Sequence, residues 1–264
     1  MSIVPAFLEW AEHDRRRSPN TLARYRAVLA SLAQVAAPET ASIEDVEAWW
    51  ATRLDRSEAT RANELACLRS FYRWATRFGH RADDPTRRLD APKIPNHVPR
   101  PVGEADVRKL LDAAADEPAL RRTLALGAYA GLRVSEAAGL DWSGIDEESR
   151  RIYVRGKGRK ERVFGLSPVL LDLLLPRVEG NVVTAGGQPY SAGVLQRRVN
   201  RFMARSGVEH TFHDLRKRAA TLAIAKTGDV YAVAKAFGWS SVETASAYAV
   251  VSDEALDRIA AAIT

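Results

Sequence analysis

One cysteine, Cys67, stands among 264 residues. No internal disulfide can form, so the fold must rest on an apolar core, and the chain suits a reducing compartment. Cys67 lies among Leu65, Leu68, Phe71 and Tyr72, the setting of a small buried apolar residue rather than a reactive thiol. No apolar run approaches the ~20 residues of a membrane-spanning helix. Met1 to Trp10 carry no basic stretch ahead of their apolar residues, so no signal peptide is expected. Internal repeats and low-complexity segments are absent, and Gly156-Lys157-Gly158 lacks the Gly-x-x-x-x-Gly-Lys-Ser/Thr pattern of a nucleotide loop. His210 and His213 form His-x-x-His, but with no cysteine nearby and no obvious carboxylate beyond Asp214 no metal site is expected. A soluble, cytoplasmic protein is expected.

What the chain does have is ordinary globular composition, 46% hydrophobic and 27% charged. Its 39 Lys and Arg exceed its 33 Asp and Glu, and the net charge of +6 leans toward a polyanionic partner. The first ninety residues read as four helices. Ala6, Phe7 and Trp10 recur at helical spacing; Ser18-Pro19-Asn20 caps a helix through Tyr25, Val28, Leu29 and Leu32; Ser42 precedes Ile43, Val46 and Trp49; Ser57 opens a long segment to Phe78. Such helices make a small bundle. Pro92, Pro95, Pro99 and Pro101 then break all periodicity, so residues 91–101 read as an extended linker. From residue 102 helices are expected at 104–115, 118–130, 191–205, 214–226, 229–237 and 254–262, and Arg151–Val154 with Arg162–Gly165 alternate as a β-hairpin around the Gly-Lys-Gly turn. The expected class is mainly α with a small β-sheet.

Six side chains carry chemistry together: Arg133, Lys157, His213, Arg216, Trp239 and Tyr248. They suit attack on a phosphodiester without a metal. A phenol of pKa near 10 is about one-thousandth ionised at neutral pH, a deficit of roughly 4 kcal/mol, so the nucleophile Tyr248 needs a base, and His213 can serve. Arg133 and Arg216 can neutralise the non-bridging oxygens through paired N–H donors, more strongly in the transition state. Lys157, on the hairpin tip, can protonate the leaving alkoxide. Trp239 can only donate, through Nε1 to a phosphate oxygen, and could equally be a core aromatic. Glu136, one helical turn after Arg133, orients or partly neutralises the basic cluster. Arg121 and Arg122 read as surface charges.

These stretches resemble the tyrosine recombinase family, the phage integrases, over nearly the whole chain. Leu126 to Leu140 resembles the first arginine box, Gly156 to Arg162 the lysine hairpin, His213-Asp214-Leu215-Arg216 the His-x-x-Arg box, and Phe237 to Tyr248 the final segment. Many members have histidine at Trp239 and at Lys217, though some use tryptophan at the former. The resemblance implies a core-type DNA-binding bundle at 1–90 joined through 91–101 to a catalytic domain at 102–264. It implies the minimal Xer-like or Cre-like form, without an additional arm-binding domain. A 3′-phosphotyrosyl bond would form and a 5′-hydroxyl depart, and the conserved ester energy calls for no cofactor, neither ATP nor metal. The partner would be duplex DNA with paired inverted core sites, bound by four protomers that are monomers when free. The helix after Asp253 would dock on a neighbour or cap its own domain.

Expected DNA contacts are Arg15, Arg16, Arg17, Asn20, Thr21, Arg24, Thr60, Arg61, Asn63 and Arg69 in the bundle, then Arg159, Lys160, Gln196, Arg197, Arg198, Asn200 and Arg201. Most should touch phosphates, with Asn63 and Gln196 reading base edges. Two alternatives stay open: a catalytically silent DNA-binding protein, and a type IB topoisomerase-like enzyme that performs the same chemistry on one duplex.

Overall fold

A computed structural model describes residues 2–94, 102–155 and 161–239. The chain parts into two compact units, Met1–His97 and Val98–Thr264. In the first, α1 (Val4–His13) starts after Ile3 without a side-chain cap, and α2 (Pro19–Leu32), α3 (Ile43–Ala51) and α4 (Glu58–Arg77) form where the serine caps place them. Ser18 Oγ accepts from Thr21 N and Ser57 Oγ from Thr60 N, both at 3.3 Å. Ser42 and Asp45 cap each other reciprocally at 2.9 and 3.1 Å. Each such cap stabilises its helix by about 1 kcal/mol.

The bundle core gathers Phe7, Leu29, Leu65, Leu68, Phe71 and Tyr72, all buried. Phe7 meets Phe71 edge-on with ring centroids 5.3 Å apart, a favoured aromatic geometry. Cys67 is 6% exposed, and burial pushes its thiol up to about 11, so it stays protonated and inert. A 3.2 Å hydrogen bond between Tyr25 Oη and Ser70 Oγ fixes α2 against α4, setting the outward residues of those two helices side by side.

The second unit contains α5 (Glu104–Ala113), α6 (Pro118–Tyr129), α9 (Ala192–Arg205), α10 (Phe212–Thr227) and α11 (Val230–Phe237), within a residue or two of expectation. The expected helix at 254–262 lies outside the described residues. The hairpin pairs β2 (Arg151–Arg155) with β3 (Glu161–Gly165) in antiparallel register, Ile152 facing Phe164, and a short β1 (Ile145–Asp146) joins as a third strand. Ile152, Val154 and Phe164 are buried while Tyr153 and Val163 are exposed, the two-residue alternation of a half-covered sheet. Two short helices, α7 (Val134–Gly139) and α8 (Pro168–Leu174), and a two-stranded ribbon, β4 (Thr184–Ala185) with β5 (Gln188–Pro189), were not expected from periodicity. They are too short to show a repeat of buried positions.

Helix α6 is the hub, packed against α5, α7, α8 and α10. This corrects the reading of Arg122 as a surface charge: it is 4% exposed. Its guanidinium donates to the Val182 carbonyl at 3.1 Å and the Pro176 carbonyl at 2.5 Å, and lies over the Trp142 ring at 5.9 Å. A buried guanidinium is tolerated when its terminal nitrogens find acceptors this way, though its Nε is left without a partner. Among the described residues no helix is long and apolar enough to cross a membrane.

Candidate active site and nucleic-acid interface

The site grows from a turn. Leaving α6, the chain reaches Gly131 at φ +64°, where an added Cβ would sit 2.4 Å from the Phe237 ring. Only glycine meets both demands. Two residues on, Arg133 caps α7. Its backbone N–H donates to Glu136 Oε2 at 2.8 Å, and its Nη1 lies 2.9 Å from Glu136 Oε1. Its Nη2 reaches the Gly238 carbonyl at 3.3 Å.

Arg216 enters from the first turns of α10. That helix starts at Phe212 rather than at the expected 214, because Asp214 accepts from the Thr211 N–H at 2.8 Å and closes a capping box. The buried Arg216 guanidinium donates to the Gly131 carbonyl, and to the Phe237 carbonyl at 2.5 Å. It lies 4.9 Å from the Phe237 ring centroid and 5.9 Å from that of Trp239. Its Nη1 is 4.0 Å from Glu136.

A third guanidinium completes the cluster, and its part was not read from the sequence. Arg162 of β3 pairs with Glu136 and donates to the Phe237 carbonyl at 2.5 Å. Burial, then the charge of Arg133, lower its pKa to about 10; burial also lowers that of Arg133. Both stay charged at neutral pH. The signal available was strand alternation, which puts Arg162 on the covered face with Phe164. Three guanidiniums around one carboxylate leave a net charge of about +2 in a poorly hydrated place, an anion site. The Arg133 side chain is 41% exposed against 2% for that of Arg216, so of the two Arg133 is the one an anion can reach, while Arg216 contributes mainly field.

His213 sits one turn before Arg216 at an accessible position. Desolvation by the surrounding protein, then the charges of Lys217, Arg216 and Arg133, lower its pKa, with Asp214 opposing. Its imidazole is neutral at pH 7, the form that can take a proton. Trp239 is partly buried, packed on Phe237 with ring centroids 5.3 Å apart. The structure thus brings Arg133, Glu136, His213, Arg216 and Trp239 together. Lys157, Arg159, Lys160 and Tyr248 lie outside the described residues.

In the first unit a groove of about 480 Å³ between α2 and α4 is lined by Arg17, Thr21, Arg24, Asn63 and Arg69, five of the expected DNA contacts. Arg73 also lines it and was not expected. Arg24 and Asn63 border a second groove with Arg53 and Thr60. Arg69 is partly committed, donating to the Leu89 carbonyl at 2.5 Å. Neither Asn20 nor Arg61 lines the first groove; Asn20 is exposed at the start of α2, and Arg61 lies 4.8 Å over the Trp50 ring. On α9 of the second unit, Arg197 and Arg201 are exposed, one turn apart, and Gln196 is half-buried. Two other expected contacts on this helix are occupied: Arg198 pairs with Glu117 at 2.5 Å, and Asn200 accepts from the Phe212 N–H at 2.9 Å.

Known proteins resemble both units. The phage integrase family pattern matches residues 102–255, and the phage integrase N-terminal SAM-like domain matches residues 4–79. A tyrosine recombinase XerC of Corynebacterium glutamicum is 31% identical over 274 aligned positions, covering 97% of this chain and 89% of that protein. The fold matches a lambda integrase dimer bound to a core site, with TM-score 0.73 and 20% identity over 92% of this chain and 76% of that one. It also matches a lambda integrase tetramer bound to a Holliday junction, with TM-score 0.74 and 21% identity over 93% and 76%. With its own residues 102–255 matched and a relative of that identity along nearly its whole length, the chain belongs to the phage integrase family, that of the tyrosine recombinases.

Proposed function

We propose that this protein is a site-specific recombinase that cuts and rejoins duplex DNA through a tyrosyl phosphate ester. The observation that carries the reading is the arginine cluster on Glu136, beside a neutral His213. Tyr248 Oη attacks the scissile phosphorus as its proton passes to His213. A P–Oη bond forms, the P–O5′ bond breaks, and O5′ leaves with a proton from Lys157. Arg133 donates to the non-bridging oxygens and Arg216 adds its charge, while Trp239 Nε1 is a further donor. The ester keeps the bond energy, so a 5′-hydroxyl from a partner duplex can reverse the step without ATP or metal.

Residues 1–90 act as the core-type DNA-binding domain and 102–264 as the catalytic domain, joined by 91–101. Arg17, Thr21, Arg24 and Arg69 hold phosphates, Asn63 reads a base edge, and Arg197 and Arg201 with Gln196 extend the footprint from the second unit. The protein works in the cytoplasm on paired inverted core sites, as four protomers linked through the segment after Asp253. The lambda integrase tetramer on a Holliday junction supports that assembly.

The test is a nicked suicide duplex carrying a core site selected from random-sequence DNA. Wild type should give a covalent protein–DNA band, and Tyr248→Phe should bind without giving one. On paired sites four protomers should assemble. An adduct that persists in Tyr248→Phe, or relaxation of supercoiled DNA lacking a paired site, would overturn the reading.

A further inference from the structure

We propose that Arg162 is a positioning residue for cleavage: it neutralises Glu136 and grips the end of α11, leaving the Arg133 guanidinium and its charge to the scissile phosphate. The inference rests on the recombinase reading above.

Arg162 does not face the substrate. Its side chain is 11% exposed, against 41% for Arg133. One of its terminal nitrogens pairs with Glu136, the same carboxylate that lies 2.9 Å from Arg133. Without Arg162, the main counter-charge to Glu136 would be Arg133, since Arg216 stands off at 4.0 Å. Arg133, already 2.9 Å from Glu136, would then supply most of that counter-charge alone, and the net charge offered to a phosphate would fall from about +2 to about +1.

The other terminal nitrogen donates to the Phe237 carbonyl at 2.5 Å, an oxygen that also accepts from Arg216 at 2.5 Å. The next carbonyl, that of Gly238, accepts from Arg133 at 3.3 Å. The last carbonyls of a helix carry its negative dipole end, so three guanidiniums share one cradle. Gly238 is shaped to admit Arg162: it sits at φ +61°, and an added Cβ would lie 2.6 Å from Arg162 Nη1. Lysine in this place could satisfy Glu136 or the carbonyl, but its ammonium lacks the planar fork that spans both.

The test compares wild type, Arg162→Met and Arg162→Lys on the selected suicide duplex, with an ordinary phosphodiester or a neutral methylphosphonate at the scissile position. Melting curves and gel shifts confirm that each variant is folded and binds DNA. On the ordinary site Arg162→Met should form adduct roughly tenfold to a hundredfold more slowly, less than the loss of a direct donor, and Arg162→Lys should fall between. On the methylphosphonate, which has no charge to neutralise, wild type and Arg162→Met should converge. An equal deficit on both substrates would mean that Arg162 acts by packing alone and would overturn the inference. So would wild-type rates in either variant on the ordinary site, or an unfolded Arg162→Lys. A wild type that gives no adduct would instead refute the recombinase reading itself.

Discussion

Substituting Gly131 by alanine should damage stability and chemistry together, and Gly228 offers a matched control. Both glycines have left-handed backbones, φ +64° and φ +69°. An alanine Cβ costs about 1 kcal/mol in that region. At Gly228 the added carbon meets nothing within 4 Å, so that strain is the whole effect. At Gly131 it would lie 2.4 and 2.7 Å from two Phe237 ring atoms and 3.2 Å from Ala219 Cβ. Forcing a methyl into a filled core costs roughly 1–3 kcal/mol more. Gly131→Ala should therefore lose about 2–4 kcal/mol and Gly228→Ala about 1 kcal/mol. At about 2–4 °C per kcal/mol for a domain of this size, the melting curves should separate cleanly. The chemical consequence follows from the same contact. The Gly131 carbonyl accepts from Arg216, and the Phe237 carbonyl accepts from both Arg162 and Arg216. Displacing Phe237 moves those acceptors, and a shift of about 1 Å can slow a reaction a hundredfold. Adduct formation should drop by at least about tenfold in Gly131→Ala and stay near wild type in Gly228→Ala, with DNA binding retained in both. Equal melting shifts for the two variants, or full-speed cleavage by Gly131→Ala, would refute the reasoning.

Three other outcomes are expected. A base is active without its proton and the pKa of His213 is lowered from 6.5, so the acid limb of the pH–rate profile should lie below pH 6.5. The limb should vanish in His213→Gln, and a midpoint above the ordinary imidazole value would contradict the assignment. In the bundle, Arg24→Ala should weaken binding to all sequences and flatten the plot of log affinity against log salt by about 0.9. Asn63→Ala should leave that slope intact and relax preference at one base pair by about 1–3 kcal/mol, because Asn63 Nδ2 is tied to the Ala59 carbonyl at 2.8 Å but its amide oxygen remains available. Swapped behaviour between these two variants would reverse their assigned roles.

What could be read before folding was whatever local chemistry decides. Ser18, Ser42 and Ser57 announce helix starts because a cap acts within three residues. The hairpin declares itself because alternation repeats every second residue. Element ends set by weaker signals slipped: Asp214 looked like a member of a chemical motif, but it also caps α10 and draws the helix start back to Phe212. Segments of six or seven residues, such as α7 and α8, are too brief for periodicity to separate them from loops.

One arginine was misjudged and another passed over, for one cause. Arg122 was read as a surface charge because charge argues for the surface, and Arg162 was read only as part of a strand. Each is withdrawn because distant backbone waits for it: Val182 lies 60 residues from Arg122, and Phe237 lies 75 residues from Arg162. No window of sequence holds both ends of such a bond. Arg133 was picked out instead by its place in the stretch from Leu126 to Leu140, with Glu136 three residues on. In this chain, local sequence picks out the exposed arginine, Arg133, and the inward-facing Arg162 becomes visible only when β3 meets the end of α11. The carboxylate between them explains why both are needed. Glu136 is 7% exposed, and a buried carboxylate must be paired. If Arg133 were its sole close partner, a phosphate would have to compete fully for that guanidinium; a second, inward-facing arginine on the same carboxylate oxygen weakens the hold that Glu136 keeps on Arg133 at 2.9 Å.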